Sequence, residues 1–210
     1  MLILFEGPEG VGKTTHAQRL AKEYVDAGID AMYLREPGGD KIGESIRSLI
    51  LNVEFKDQME PMAEFFLFQA SRAQFVRRTV RPLLDRGCTV VLDRYSLSTM
   101  AYQIAARGLP LVQCLSAIDT ATGGLVPDVT LLLTCSYETG RERQQAAGKE
   151  PDRLESEGIR FHRAVLEGYK DFARILPEWN IHVIDTDPLS QERVFQRVLE
   201  LLRADQGVYS

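Results

Sequence analysis

Glu6-Gly7-Pro8-Glu9-Gly10-Val11-Gly12-Lys13-Thr14-Thr15 is the stretch of sequence that decides the fold. It follows the apolar run 2–5 and opens a helical pattern of apolar residues that continues to Val25, so strand, glycine-rich loop and helix are predicted in that order. The loop matches the phosphate-binding pattern G-x-x-x-x-G-K-[ST] through Gly7, Gly12, Lys13 and Thr14. A plain strand-to-helix turn is the alternative, but strand and helix stand where a P-loop requires them.

A P-loop binds the phosphates of a nucleoside triphosphate through its backbone. Glycines let successive N–H groups point inward, and the helix that follows adds the positive end of its dipole. Lys13 is long enough to reach the β- and γ-phosphates, and the Thr14 hydroxyl is placed to hold Mg²⁺. The predicted ATP-binding residues are Gly7, Pro8, Glu9, Gly10, Val11, Gly12, Lys13, Thr14 and Thr15.

Composition describes a globular chain without a polyanionic partner. The 210 residues carry a net charge of -5, with 44% hydrophobic and 26% charged residues. Since there is no Lys/Arg block, we expect no nucleic-acid binding. Small phosphorylated substrates stay open, because a few arginines suffice for them.

The sequence shows neither a signal peptide nor an apolar run long enough for a membrane span, so we expect a cytoplasmic enzyme with no membrane contact. The three cysteines are widely spaced, which favours reduced, packed thiols. The three histidines lack the spacing of metal ligands.

Short apolar runs alternate with long helical patterns along the whole chain. Strands are predicted at 2–5, 31–34, 89–92, 129–133 and 181–184. The prediction is an α/β, three-layer P-loop NTPase fold: one domain over 1–210, with a five-stranded parallel sheet, helices on both faces and a short lid at about 141–155. Right-handed crossovers bring the carboxyl ends of the strands to one edge, where such folds bind ligands.

Two charged groups follow predicted strands at this edge. Asp93 closes the third strand and can hold the Mg²⁺ shell, the Walker-B role. Arg94 adds a guanidinium that matches a phosphate in bidentate fashion. Arg47 and Arg72 lie on predicted helices and could face either the cleft or solvent.

The aromatic run Phe65-Phe66-Leu67-Phe68 points in several directions around its helix. Aromatic residues at helical spacing are usually core, but these three cannot all share one face, so at least one must leave it. Stacking on a base is a role for that residue, and periodicity does not choose it.

The charged segment 141–155 contains Arg141, Arg143, Lys149 and Arg153. It is either a solvated face or a mobile lid, held as an exposed loop by its acidic neighbours, that brings positive charge over a transferring phosphoryl group.

With these motifs the chain closely resembles the bacterial thymidylate kinases over essentially its whole length. The shared sequence features are the P-loop, Arg35-Glu36-Pro37-Gly38-Gly39, Arg47-Ser48-Leu49, Leu67-Phe68 with Ser71-Arg72, Asp93-Arg94-Tyr95 with Ser98 and Ala101-Tyr102-Gln103, Pro127-Asp128, and Asp152-Arg153-Leu154-Glu155. The resemblance implies transfer of the γ-phosphoryl group of ATP to dTMP, with Mg²⁺, in a homodimer built on helix packing.

For the base of dTMP, the resemblance implies that Phe68 stacks on thymine and that Arg72 and Gln103 hydrogen-bond it, with Ser98 and Thr99 nearby.

For the rest of the site, it implies that Arg94 holds the acceptor phosphate and that Glu36 and Arg47 line the acceptor pocket. Glu9 would lie near the sugar and phosphates, and Tyr102 would crowd the 2′ position. The segment 185–187 would approach the adenine.

Two departures from the family pattern are visible. Asp40 stands where the family usually has Thr, and little effect is expected because the position flanks a turn. The P-loop lacks the arginine of eukaryotic members, so the catalytic arginine should come from the lid, as Arg143 or Arg153. Together with Lys13, Arg94 and Glu9 they form the predicted catalytic group.

Two other functions remain alternatives. A kinase for another nucleoside or nucleotide would keep the P-loop, but Phe68, Arg72 and Gln103 argue against it. A GTP-dependent switch would need an Asn-Lys-x-Asp motif, and the sequence has none.

Overall fold

A computed structural model describes residues 1–148 and 150–206. Its five strands form one parallel sheet in the order β2-β3-β1-β4-β5. The strands are β1 (Leu2–Glu6), β2 (Ala31–Arg35), β3 (Thr89–Asp93), β4 (Val129–Thr134) and β5 (Ile181–Asp185). Each lies within a residue or so of its predicted bounds, and the predicted fold class is confirmed.

Nine α-helices are described around this sheet. They are α1 (Lys13–Asp26), α2 (Lys41–Leu51), α3 (Pro61–Phe75), α4 (Arg81–Asp85), α5 (Ser96–Thr99), α6 (Leu111–Thr122), α7 (Tyr137–Ala146), α8 (Ile159–Ile175) and α9 (Gln191–Gln206). Two π-helical segments, Val76–Val80 and Met100–Ala106, continue α3 into α4 and extend α5. Short 3₁₀ turns lie at Val53–Phe55 and Pro177–Trp179.

The central strands are buried on both faces, as their unbroken apolar runs require. Alternate residues of β1 divide between two cores. Leu4 packs with Phe65, Phe75 and Tyr169 on the side of α3 and α8, while Phe5 lies with the apolar faces of α1 and α9. This arrangement holds the sheet rigid between two helical layers.

The strand register fixes where the functional loops begin. Phe5 of β1 and Arg35 of β2 both lie opposite Asp93 of β3. Since the strands end level with one another, the P-loop, the Glu36 turn and Arg94 leave the sheet at the same edge.

Asp40 is the N-cap of α2. Its carboxylate accepts a hydrogen bond from the Gly43 amide at 2.7 Å and another from the Gln74 side chain at 2.9 Å. Threonine is also a helix-capping residue, so the exchange of Thr for Asp at this position keeps the same local function.

The three cysteines, Cys88, Cys114 and Cys135, are buried free thiols, as predicted. Among the described helices, none has both the length and the apolarity to cross a bilayer.

Candidate functional site

A cavity of about 280 Å³ opens at the carboxyl edge of the sheet. The P-loop, the ends of β2 and β3, and helices α2, α3 and α5 all contribute to its wall. It collects most of the predicted site residues: Glu9, Gly10, Gly12, Lys13, Thr14, Thr15, Glu36, Arg47, Phe68, Arg72, Asp93, Arg94, Ser98, Thr99, Tyr102 and Gln103. Gly7, Pro8, Val11, Arg143 and Arg153 are not part of its lining.

The P-loop conformation requires glycine for two reasons. Gly12 caps α1 in the left-handed region at φ 88°, which L side chains rarely adopt. Gly10, at φ 76°, lies so close to helix α7 that an added Cβ would meet the carbonyl oxygen of Gly140 at 2.3 Å. The P-loop is thereby packed against the first turns of α7.

Lys13 lies buried at the floor of the cavity. Its Nζ donates a hydrogen bond to the carbonyl of Pro8 at 2.5 Å, within the curl of the P-loop. Burial, followed by the nearby Arg94 charge, lowers the pKa of Lys13 to about 8. The carboxylates of Glu9, Asp93 and Glu6 oppose this shift without reversing it, so an anionic ligand would further stabilise the charged ammonium group.

Thr14, in the first turn of α1, is hydrogen-bonded to Asp93 at the end of β3. The Thr14 hydroxyl donates to Oδ2 of Asp93 at 2.5 Å, and the Tyr33 hydroxyl lies 3.4 Å from the same oxygen. A hydroxyl beside one carboxylate fits Mg²⁺, which binds through one or two carboxylates plus substrate phosphates. Such a site is not a cage of acidic residues, and the described residues contain no group of three or more His, Cys, Asp or Glu suited to a metal.

Arg94 is held in a strained conformation directly after β3, at φ 69°. Its Nη1 donates to the carbonyl of Gly7 at 3.2 Å, the Ser98 hydroxyl at 3.0 Å and the Tyr169 hydroxyl at 3.0 Å. Its Nη2 donates to Glu9 at 2.7 Å. These contacts fix the guanidinium between the P-loop and the part of the cavity wall formed by α5 and the π-helical segment after it.

Glu6 supports this arrangement from beneath, a function that sequence analysis missed. Its carboxylate accepts hydrogen bonds from the backbone amides of Tyr95 and Ser98, at 2.7 and 3.0 Å. It also accepts from the hydroxyls of Ser98 at 2.6 Å and Tyr169 at 3.1 Å. Burial raises the pKa of Glu6, with the Ser98 hydrogen bond opposing it. A glutamate at the end of an apolar strand was the available signal.

Glu9 joins the P-loop to the opposite wall. The Tyr102 hydroxyl donates to both of its oxygens, at 2.5 and 2.6 Å, and Arg94 pairs with it. Burial acts to raise the pKa of Glu9, but Arg94 and Lys13 outweigh it, so the pKa lies below its usual value. A carboxylate is therefore maintained between the two halves of the cavity.

Arg72 and Glu36 form a buried ion pair at 2.8 Å. Arg72 also donates to the Gln69 and Thr99 side chains at 3.0 Å and to the carbonyl of Tyr95 at 3.1 Å. Burial raises the pKa of Glu36 to about 7, although Arg72 opposes the shift. The structure thus places Arg72 in the cavity wall and not on the solvent side of α3. Arg47, the other open assignment, also lines the cavity and donates to the carbonyl of Pro37 at 3.0 Å.

The three aromatic residues of the run 65–68 lie in different environments. Phe65 is 1% exposed in the core and Phe66 is 57% exposed on the outer surface. Phe68 is half-buried, packs against the core and lines the cavity. Its ring is the one available to a planar ligand.

The two candidate lid arginines lie in different places. Arg143, on α7, donates to the hydroxyl and carbonyl of Thr186 at 2.9 Å and to the carbonyl of Gly10 at 3.5 Å. It thus bridges the P-loop and the segment 185–187.

Arg153 differs from the expectation of an exposed loop, because its side chain is 0% exposed and pairs with Glu64 of α3 at 2.5 Å. It also donates to the carbonyl of Ile50 at 2.6 Å. The ion pair with a buried carboxylate explains why this end of the segment 141–155 is folded into the protein. Lys149 lies outside the described residues.

Eight further residues line the cavity and were not among the predicted site residues: Arg35, Pro37, Leu51, Tyr95, Gln144, Asp152, Leu154 and Glu155. Several sit inside the motifs already singled out, so proximity in sequence was the only signal for them.

Comparison with known proteins gives a consistent result. The thymidylate kinase family model matches residues 5–198. The thymidylate kinase of Deinococcus radiodurans is 43% identical over 178 residues, 85% of each chain. That of Nitratidesulfovibrio vulgaris is 38% identical, covering 97% of this chain and 96% of its own, and that of Bacillus pumilus is 40% identical, covering 97% and 95%.

Proposed function

The chain belongs to the thymidylate kinase family, and from that premise we propose how its residues transfer the γ-phosphoryl group of ATP to dTMP, giving dTDP and ADP. The enzyme is an ATP-dependent phosphotransferase. The assignment of the site rests on the contacts of Glu9. This residue of the P-loop, which we assign to ATP, is hydrogen-bonded to both Arg94 and Tyr102, which we assign to dTMP. Two binding sites therefore share one cavity, as transfer between two nucleotides requires.

The P-loop residues 7–15 bind the ATP phosphates. Their amides and the N-terminus of α1 supply fixed dipoles, and Lys13 exchanges its Pro8 carbonyl for phosphate oxygens. A preorganised positive charge such as that of Lys13 stabilises the negative charge that develops on the oxygens of the transferring phosphoryl group. No side-chain nucleophile is needed, since the acceptor phosphate is already an anion.

Thr14 and Asp93 would hold Mg²⁺, which would offset the negative charge of the ATP phosphates. Asp93 is buried at the end of β3, and the Thr14 hydroxyl begins α1 next to it. Both groups are therefore fixed to regular elements of the sheet and the helix.

Arg94 binds the phosphate of dTMP. Its guanidinium lies between the P-loop carbonyl of Gly7 and the Glu9 carboxylate, so an anion bound there faces the end of the ATP triphosphate. Glu36 and Arg47 line the acceptor half around it. Positioning two phosphates in line is the main catalytic task of such an enzyme.

The nucleoside of dTMP occupies the far end of the cavity. Phe68 stacks on the base, Arg72 and Gln103 hydrogen-bond its edge, and Ser98 and Thr99 complete the wall. Tyr102, held by Glu9, leaves little room for a 2′-hydroxyl, which favours deoxyribonucleotides.

The segment 141–155 acts as the lid over the reacting phosphates, with Arg143 on the ATP side. Arg153 anchors its far end through Glu64. Of the two arginines left open by the sequence, Arg143 is the catalytic candidate, because its guanidinium already reaches the P-loop.

We expect ADP release to require dTMP and Mg²⁺ and to be poor with dCMP, dGMP or dAMP as the acceptor. The pocket would hold one base edge and one sugar, so other bases leave polar groups unpaired. A coupled assay of ADP release over this panel of acceptors measures it directly. Equal turnover of all four nucleotides would contradict the assignment of the acceptor.

The homodimer is proposed to form across α2, α3 and α6. These helices pack side by side, and their outer faces expose Ile42, Leu49, Phe66 and Val112. Several exposed apolar side chains on neighbouring helices are typical of a protein interface, and two copies related by a twofold axis would bury them.

Sedimentation should give a mass twice the 23.7 kDa of the chain, and Phe66→Glu should lower it toward the monomer mass. Val25→Glu, at a similarly exposed position of 54% on α1, is the matched control and should sediment unchanged. A monomer for the unsubstituted chain would contradict the proposed dimer.

We place the enzyme in the cytoplasm, in keeping with its three unpaired thiols.

A further inference from the structure

Behind the base-binding wall lies a buried ionic cluster centred on Glu64 of α3. The Glu64 side chain is 1% exposed and is not part of the cavity lining. Its Oε2 accepts hydrogen bonds from Arg153 at 2.5 Å and Arg107 at 3.2 Å. Its Oε1 accepts from Nε2 of Gln103 at 2.8 Å and from Nε of Arg107 at 3.4 Å.

This cluster determines which end of the Gln103 amide faces the ligand. Both oxygens of Glu64 accept from arginine N–H groups, which only donate, so Glu64 acts toward Gln103 as an acceptor. Gln103 must therefore turn its NH₂ group toward Glu64. Its oxygen, Oε1, then has no partner among the described residues and lies on the cavity side, where Gln103 is part of the wall.

Arg72 gives the neighbouring part of the wall the opposite polarity. A guanidinium has five N–H groups and no acceptor. Four of them are used, by Glu36, Gln69, Thr99 and the carbonyl of Tyr95. The wall thus offers one donor from Arg72 and one acceptor from Gln103.

We propose that Glu64 is the positioning residue that sets this donor–acceptor pattern and thereby the choice between thymine and cytosine. The inference rests on the proposed dTMP kinase function. Thymine offers an acceptor at O4 and an N–H donor at N3, which complements the wall. Cytosine offers an amino donor and a ring-nitrogen acceptor. Its donor would therefore face the Arg72 donor, and its acceptor would face the Gln103 acceptor.

Arg107 and Arg153 make the pattern sensitive to a single substitution. In Glu64→Gln, the two arginines, which only donate, demand the one remaining acceptor oxygen of residue 64. The new NH₂ group then faces Gln103, whose amide must turn round and present its own NH₂ group to the cavity. The polarity of this half of the wall is reversed without any change in a residue that touches the base.

The test is the ratio of kcat/KM for dTMP to that for dCMP. We expect Glu64→Gln to lower this ratio by at least about tenfold, the effect of one mismatched buried hydrogen bond. Because both substrates are measured on one preparation, partial unfolding cancels from the ratio. Glu157→Gln is the matched control: it removes a carboxylate 2.7 Å from the same Arg107 but has no hydrogen bond to Gln103. A ratio that stays within about twofold in Glu64→Gln would overturn the inference.

A second variant separates orientation from mere structural support. The exchange Glu64→Gln with Gln103→Glu returns an acceptor-only group to the wall and should restore the preference for dTMP, whereas a double variant no more selective than Glu64→Gln would count against the inference.

If neither variant folds, the donor–acceptor pattern of the wall can be tested on the unsubstituted enzyme with a modified ligand. It should bind N3-methyl-dTMP at least about tenfold more weakly than dTMP, and equal binding would overturn the inference. Failure of the unsubstituted enzyme to phosphorylate dTMP at all would instead refute the proposed function.

Discussion

Replacing Lys13 with methionine is expected to lower kcat by roughly a hundredfold or more. Methionine keeps the length and apolar stem of the side chain but removes the charge from the floor of the cavity, where Nζ lies in the P-loop 2.5 Å from the Pro8 carbonyl. In the proposed mechanism that charge would stabilise the transferring phosphoryl group more than bound ATP, so kcat should fall more than ATP affinity. Steady-state kinetics with saturating dTMP, together with ATP titration, measure both.

Lys22→Met is the matched control for this substitution. Lys22 lies on the same helix α1, but it is exposed and pairs with Asp26 within that helix. Its kinetics should be unchanged. A near-normal kcat for Lys13→Met would refute the catalytic role of the lysine, whereas equal losses in the two variants would indicate a general effect on the helix.

The second large effect is expected at Arg153, and it is an effect on stability. Arg153→Ala should lower the free energy of unfolding by about 3 kcal/mol, because it removes one partner of the buried Glu64 carboxylate and leaves Arg107 to balance it alone. For a chain of this size, this corresponds to a fall in Tm of roughly 6 to 12 °C. Thermal and urea unfolding measure it.

Arg143→Ala provides the comparison. Arg143 is half-buried and bonds to a backbone carbonyl and a hydroxyl, so its loss should change stability by less than about 1 kcal/mol. The same variant should lower kcat at least about tenfold if Arg143 serves the transferring phosphate. The reverse result, with a stable but inactive Arg153→Ala and a fully active Arg143→Ala, would show that the two roles are exchanged.

Sequence patterns were sufficient to predict the strands and the P-loop, because these features depend on neighbouring residues and on the spacing of apolar residues. The runs 89–92 and 129–133 are apolar throughout, and a strand covered on both faces has to be. The P-loop was equally clear, since the left-handed backbone at Gly10 and Gly12 can be read from glycine itself.

The same kind of reasoning could not place single side chains that depend on distant partners. Tyr102 and Gln103 lie on the π-helical segment Met100–Ala106, and apolar periodicity does not distinguish such a segment from an α-helix. Glu6 and Tyr169 are far apart in the sequence, and no sequence pattern pairs them, so their contact at 3.1 Å beneath Arg94 is visible only in the folded chain.

By itself the sequence determined the succession of strands and helices along the chain, the P-loop and the edge of the sheet where ligands are expected. Each of these follows from backbone geometry and apolar periodicity. The resemblance of its motifs to one family determined the reaction. Only the tertiary structure decided which aromatic residue of the run 65–68 faces the cavity, that Arg153 pairs with Glu64 while Arg143 reaches the P-loop, and that the amide nitrogen of Gln103 donates to Glu64. These outcomes depend on the burial and pairing of charges from α3, the π-helical segment and the lid, and such pairing exists only once the chain has folded.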